Sequence, residues 1–121
     1  MVDKLIIYDK FKKEVRVYQI EEYIDENGSA PFSEWLDSLD VPTRARIAAR
    51  IERFKDGNLG DRKSVGRGVY EARIHLGPGY RVYFGTHYGK LIILLAGGSK
   101  RSQSKDIKNA QSNWKNWKEN N

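Results

Sequence analysis

The chain has 121 residues, 39% hydrophobic and 31% charged, with a formal net charge of +6. That length supports one hydrophobic core, and the composition excludes both a disordered chain and a membrane-spanning one. With no cysteine and two isolated histidines, a disulfide framework, a thiol nucleophile and a structural zinc cage are excluded, and neither a metal nor a cofactor is expected.

A single domain over residues 1–121 is expected, with residues 1–13 as an extension. The N-terminus lacks the pattern of a signal peptide, and the longest apolar run, Leu91 to Ala96, is too short to cross a bilayer. The expected location is therefore cytoplasmic. Charge is unevenly spread: residues 1–40 hold 5 basic and 10 acidic side chains, whereas residues 41–105 hold 14 basic and 4 acidic. Such a basic segment attracts polyanions, so nucleic acid is the first partner class to consider, with an acidic protein as the alternative.

Glu14 to Ile24 is rich in β-branched and aromatic residues and ends at Asn27-Gly28, which predicts a first strand. Pro31 suits a first helical turn, and Phe32, Trp35, Leu36 and Leu39 then recur at helical spacing. Asp40 is a good N-cap for a second helix that places Ile47, Ala48, Ile51 and Phe54 on one face and Arg46, Arg50 and Arg53 on the other, stopping at Gly57. A Gly- and charge-rich connection follows over Gly57 to Gly68.

The period then changes to two. Val69, Glu71, Arg73 and His75 should share one strand face, with Tyr70, Ala72, Ile74 and Leu76 on the other. After the turn Leu76-Gly77-Pro78-Gly79, the next strand puts Arg81 and Tyr83 on one face and Val82 and Phe84 opposite. Leu91 to Ala96 reads as a central strand covered on both faces. A last helix follows, with Ile107, Ala110, Trp114 and Trp117 packed along one side.

The expected fold is α+β: a small, mostly antiparallel four-stranded sheet in the order βααβββα. An N-terminal helical hairpin lies on one face, and the opposite face, bearing Glu71, Arg73, Arg81 and Tyr83, is left partly open. Cleaving RNA without a metal needs charge stabilisation at phosphorus and two proton transfers. Arg73 and Arg81 are candidates to hold the phosphate as planar forks, Lys100 to add a cation, and Glu71 to act as base. Tyr83 offers a plane for an unstacked base, and Lys63, Arg67 and Arg101 offer backbone contacts. The same strand face is also consistent with an ordinary solvated surface of cross-strand ion pairs. His75 and His87 fit exposed turn positions better than catalytic ones. Gly97-Gly98-Ser99-Lys100 lacks the upstream glycine of a phosphate loop.

Taken together, Pro31 to Leu36, the basic helix ARIAARI, the hairpin of the form VxELRxxxGPGYRVYF and the ending of the form GGxKxxQxxDI resemble the RelE/ParE superfamily of bacterial toxins. The resemblance covers about Val15 to Ala110 and is to the HigB-like "addiction module killer protein" subgroup. It implies a RelE-like fold and a type II toxin with a cognate antitoxin, often a helix-turn-helix protein encoded nearby. It also implies action on mRNA at the ribosomal A site, with no membrane involvement. By this resemblance Arg81 matches a phosphate-stabilising arginine, Arg73 a basic strand position, and Lys100-Arg101 a basic pair, with Lys63 a weaker match. The chain departs from the RelE pattern where Ile107 replaces a tyrosine and Glu71 a basic residue. A ParE-like gyrase poison and a non-catalytic RNA-binding module are the alternatives, because the scaffold is shared.

Overall fold

The computed structural model describes residues 6–7, 15–16 and 18–121. Two short antiparallel strands, β1 (Ile6–Ile7) and β2 (Val15–Arg16), pair with each other. The main sheet is built from β3 (Gln19–Glu22), β4 (Arg62–Ser64), β5 (Tyr70–Ile74), β6 (Tyr80–His87) and β7 (Leu91–Ser99), in the order β3-β7-β6-β5-β4. Three α-helices accompany it: α1 (Pro31–Asp37), α2 (Val41–Lys55) and α3 (Gln103–Glu119), the last entered through one 3₁₀ turn at Lys100–Ser102.

The fold is α+β as expected, but the sheet has five strands and is mixed. β3 runs parallel to β7, while every other neighbour in the sheet is antiparallel. Two sequence expectations account for the difference. The first strand is confined to Gln19–Glu22, since Val15–Arg16 pairs with Ile6–Ile7 instead. The segment read as a connection holds β4, whose three residues are all exposed and so carry no apolar alternation to betray them.

The helices start where their caps require. Pro31 sits in the first turn of α1, where a missing N–H costs nothing. Asp40 caps α2, accepting from the Thr43 amide at 3.1 Å and the Thr43 hydroxyl at 2.8 Å. Those hydrogen bonds hold the Asp40 carboxyl below its ordinary pKa.

The sheet separates two cores. On one face α1 and α2 bring Phe32, Ile47 and Phe54 against Ala72, Ile74, Val82, Phe84, Ile92 and Leu94. On the other, α3 brings Ala110, Trp114 and Trp117 against Val69, Tyr83, Ile93 and Leu95. The two tryptophan rings stack at 5.3 Å with 9° between their planes. The second face is therefore covered rather than partly open, because the apolar stripe of α3 needs a sheet face on which to bury.

β7 serves both cores by alternation, and a bulge changes its phase. Tyr83 is opposite Ala96 but Phe84 is opposite Leu94, which leaves Leu95 without a partner on β6. Beyond the bulge, Gly97 meets Trp35 of α1 and Gly98 meets the Asp106 carboxylate of α3, each so closely that a Cβ at either glycine would collide. The Gly97-Gly98 pair thus lets a helix approach from each side of the same strand.

Candidate active site

β5 and β6 pair so that Arg73 is opposite Arg81 and Glu71 is opposite Tyr83. Opposed residues of antiparallel strands project from the same face, so these four side chains form one patch. At its centre lies Glu71, with no exposed surface. Its Oε2 accepts from the Tyr83 hydroxyl at 3.1 Å and from Gln103 Nε2 at 2.7 Å. Arg73 Nε lies 3.7 Å from Oε1, and Arg81 Nε lies 3.6 Å from Oε2.

These two separations exceed the roughly 2.7–2.9 Å of a charge-assisted hydrogen bond. Neither Nε finds a hydrogen-bond acceptor among the described residues. The carboxylate therefore attracts both guanidinium groups without saturating either. Arg73 keeps 35% of its side-chain surface accessible and Arg81 11%. Together they have the charge and donor capacity to receive an anion.

Two sequence assignments change here. Tyr83 is fully buried and presents no plane to a base. Burial, reinforced by the neighbouring Glu71 charge and hydrogen bond, pushes its phenol well above the ordinary pKa, so it stays a donor to Glu71. Glu71 is likewise sealed from solvent and held by four side chains, which suits an anchor for the arginines rather than a base reaching a substrate hydroxyl. The sequence reading missed this because a mixed Glu, Arg and Tyr strand face looks solvated until a helix is laid across it.

The N-terminal end of α3 completes the surroundings. Ser102 donates to Asp106 Oδ2 at 2.5 Å, and that carboxylate lies against Gly98, the residue opposite Arg81 on β7. The Lys100 amide donates to the Gly79 carbonyl at 3.1 Å, joining the exposed Lys100-Arg101 turn to the β5–β6 turn. The Arg81 guanidinium lies beside Gly79 as well. Gln103 and Asp106, absent from the sequence candidates, occupy the glutamine and aspartate positions of the GGxKxxQxxDI pattern, which was the available signal for them.

Of the remaining candidates, one adjoins this patch and the others lie apart. Lys63 is exposed on β4 opposite Glu71. Arg67 belongs elsewhere, in the β4–β5 turn beside α3, at the end of β5 remote from Arg73. His75 is exposed and makes a 2.8 Å contact with Asp61, which lowers the Asp61 pKa. His87 packs edge-on against Trp117 at 5.0 Å.

Of the helix arginines Arg46, Arg50 and Arg53, expected opposite the apolar face, Arg50 is buried. It donates to the carbonyls of Arg73, Leu59 (3.1 Å) and Asp61 (2.9 Å), tying α2 to β5 and to the chain before β4. Among the described residues, no three His, Cys, Asp or Glu side chains gather as metal ligands would. No helix among them is long and apolar enough to cross a membrane.

The described residues thus form a small α+β domain with two arginines facing one buried carboxylate and a basic turn at the exit of β7. Residues 34–115 match the family described as phage-derived protein Gp49-like, and the chain belongs to that family. It is a family of toxins of the toxin–antitoxin, addiction-module type, which implies an antitoxin partner. The chain is also 51% identical over 81 residues to a protein of Haemophilus influenzae (strain KW20 Rd) that carries the description uncharacterized protein. That match spans 66% of this chain and 82% of the relative.

Proposed function

We propose that the protein is the toxin of a type II toxin–antitoxin pair and acts as a ribosome-dependent, metal-independent mRNA endonuclease of the RelE/HigB kind. The observation that carries this reading is the Arg73–Arg81 pair, set opposite each other on β5 and β6 and drawn to one buried carboxylate. In such a reaction the 2′-hydroxyl attacks phosphorus and the bond to the 5′-oxygen breaks, leaving a cyclic phosphate and a 5′-hydroxyl. Negative charge builds on the phosphorane oxygens, where two preorganised guanidinium groups stabilise it most.

Arg73 and Arg81 supply that stabilisation, and Lys100 adds a third cation from the turn beyond β7. Glu71 orients the arginines through Coulombic attraction and is itself fixed by Tyr83 and Gln103. Arg101 and Lys63, both exposed, hold the RNA backbone. The reaction would take place in the cytoplasm, on mRNA in the ribosomal A site, with a cognate helix-turn-helix antitoxin holding the toxin inactive.

Induced expression without antitoxin, with transcript 5′ ends mapped by primer extension, tests this reading. The wild-type chain is expected to arrest growth and to produce new 5′ ends within codons. Arg81→Lys keeps a cation but loses the planar fork, and should abolish the cuts while the purified protein keeps its circular dichroism spectrum. A folded Arg81→Lys variant with undiminished cleavage would refute the role. Supercoiling inhibition with intact transcripts would point to gyrase instead.

A further inference from the structure

The outward side of α3 carries a second basic surface, distinct from the two arginines. Lys108, Lys115 and Lys118, with Gln111 and Ser112 between them, line one cleft together with Arg67 from the β4–β5 turn, enclosing about 590 Å³. Their spacing places them along one side of the helix over a rise of about 15 Å from Lys108 to Lys118. The lining contains four cations and no acid.

The turn is held in place. Gln111 Nε2 donates to the Val65 carbonyl at 2.9 Å, and the Val65 amide donates to the Val69 carbonyl at 2.9 Å. Within this turn Arg67 adopts a left-handed backbone with φ of 55°, a conformation uncommon for a residue with a side chain. At the other end of the cleft, Lys118 Nζ lies 5.4 Å from the centre of the Trp114 ring.

Among the described residues the large exposed hydrophobics are Ile24, Val41 and Tyr88, and none of them lines this cleft. A protein partner would find no apolar anchor there, and such anchors dominate protein–protein affinity. A phosphodiester backbone needs only spaced cations.

We propose that the Arg67–Lys108–Lys115–Lys118 cleft is a docking surface for the phosphate backbone of RNA, separate from the Arg73–Arg81 pair. This rests on the functional reading above only in taking RNA as the partner class. The surface holds RNA while the arginine pair acts on one phosphate.

The test is fluorescence anisotropy of the full-length protein with a labelled RNA hairpin, titrated at several salt concentrations. Combining Lys108→Gln, Lys115→Gln and Lys118→Gln should weaken binding about tenfold and flatten the salt dependence by roughly two to three counterions. Lys90→Gln, at an exposed lysine of the β6–β7 turn outside both sites, should leave both within about twofold. No RNA binding by the wild-type chain, or an unchanged salt slope in the triple variant, overturns the proposal. So does a triple variant that keeps RNA but loses an acidic polypeptide probe such as polyglutamate, which would make the cleft a protein-docking surface. If the triple variant loses RNA as expected while the wild-type chain cuts no transcript, the docking surface stands and the nuclease reading falls.

Discussion

β5 has a buried charged site on each side, and the two are solved differently. On the α2 side, Arg50 gives its terminal nitrogens to three backbone carbonyls, joining α2, the chain before β4, and β5, while its Nε finds no acceptor among the described residues. On the α3 side, Glu71 draws in Arg73 and Arg81 at 3.7 and 3.6 Å, and their hydrogen-bonding capacity stays largely unspent. Arg50, with three carbonyls on its terminal nitrogens, is a brace. The Arg73–Arg81 pair, whose Nε atoms reach only a carboxylate at 3.6 to 3.7 Å, is the one we propose as a receptor. The two sites are also coupled, since one of the carbonyls that Arg50 holds belongs to Arg73.

The largest expected effect comes from breaking the receptor's anchor. Glu71→Ala removes a fully buried carboxylate and leaves two half-buried cations facing one another, and should cost about 3–5 kcal/mol, read from a urea titration. Glu71→Gln keeps the shape and should cost less, on the order of 1–3 kcal/mol, while loosening the arginines and lowering cleavage. A Glu71→Gln variant as stable and as active as wild type would mean that the charge of Glu71 plays no part.

Breaking the brace is next. Arg50→Met strands three carbonyl acceptors and should cost roughly 2–3 kcal/mol by the same titration. Where the variant is folded, transcript cutting should persist at a reduced level, because Arg73 is moved rather than removed. Complete loss of cleavage in a folded Arg50→Met chain would place Arg50 among the groups that act on RNA.

The smallest effect concerns the Asp61–His75 contact beside the brace. The hydrogen bond from His75 is the main cause of the lowered Asp61 pKa, so its contribution is fully present above the unfolded aspartate value, about 3.9. It is lost as pH falls through the lower folded value. Asp61→Asn should therefore reduce Tm slightly at pH 7, and the gap from wild type should close toward pH 3. A gap that widens in acid would reverse the sign.

Much of this comparison could be read from the chain, though unevenly. The change of period after Gly68 gave the correct faces for Glu71, Arg73, Arg81 and Tyr83, because strand alternation is strict. The apolar spacing of Ala110, Trp114 and Trp117 also identified α3 as a packing helix. Alternation says which residues share a face, however, and not what lies over it, so the sequence alone leaves Glu71 and Tyr83 looking accessible. Arg50 looked like its neighbours Arg46 and Arg53, since nothing local distinguishes an arginine that meets carbonyls from one that meets water. β4 escaped notice because Arg62, Lys63 and Ser64 form an exposed edge, and Gln103 because a lone glutamine has no periodicity.

The contrast between Arg50, whose terminal nitrogens are engaged by backbone carbonyls, and the Arg73–Arg81 pair can be read from the side-chain Nε–Hε signals of ¹⁵N-labelled protein. The titrant is an uncleavable oligoribonucleotide bearing 2′-O-methyl groups. The signals of Arg73 and Arg81 should shift together and saturate together, while that of Arg50 stays in place. Shifts at Arg50 with none at Arg73 and Arg81 would contradict the assignment of the phosphate site to the β5–β6 pair.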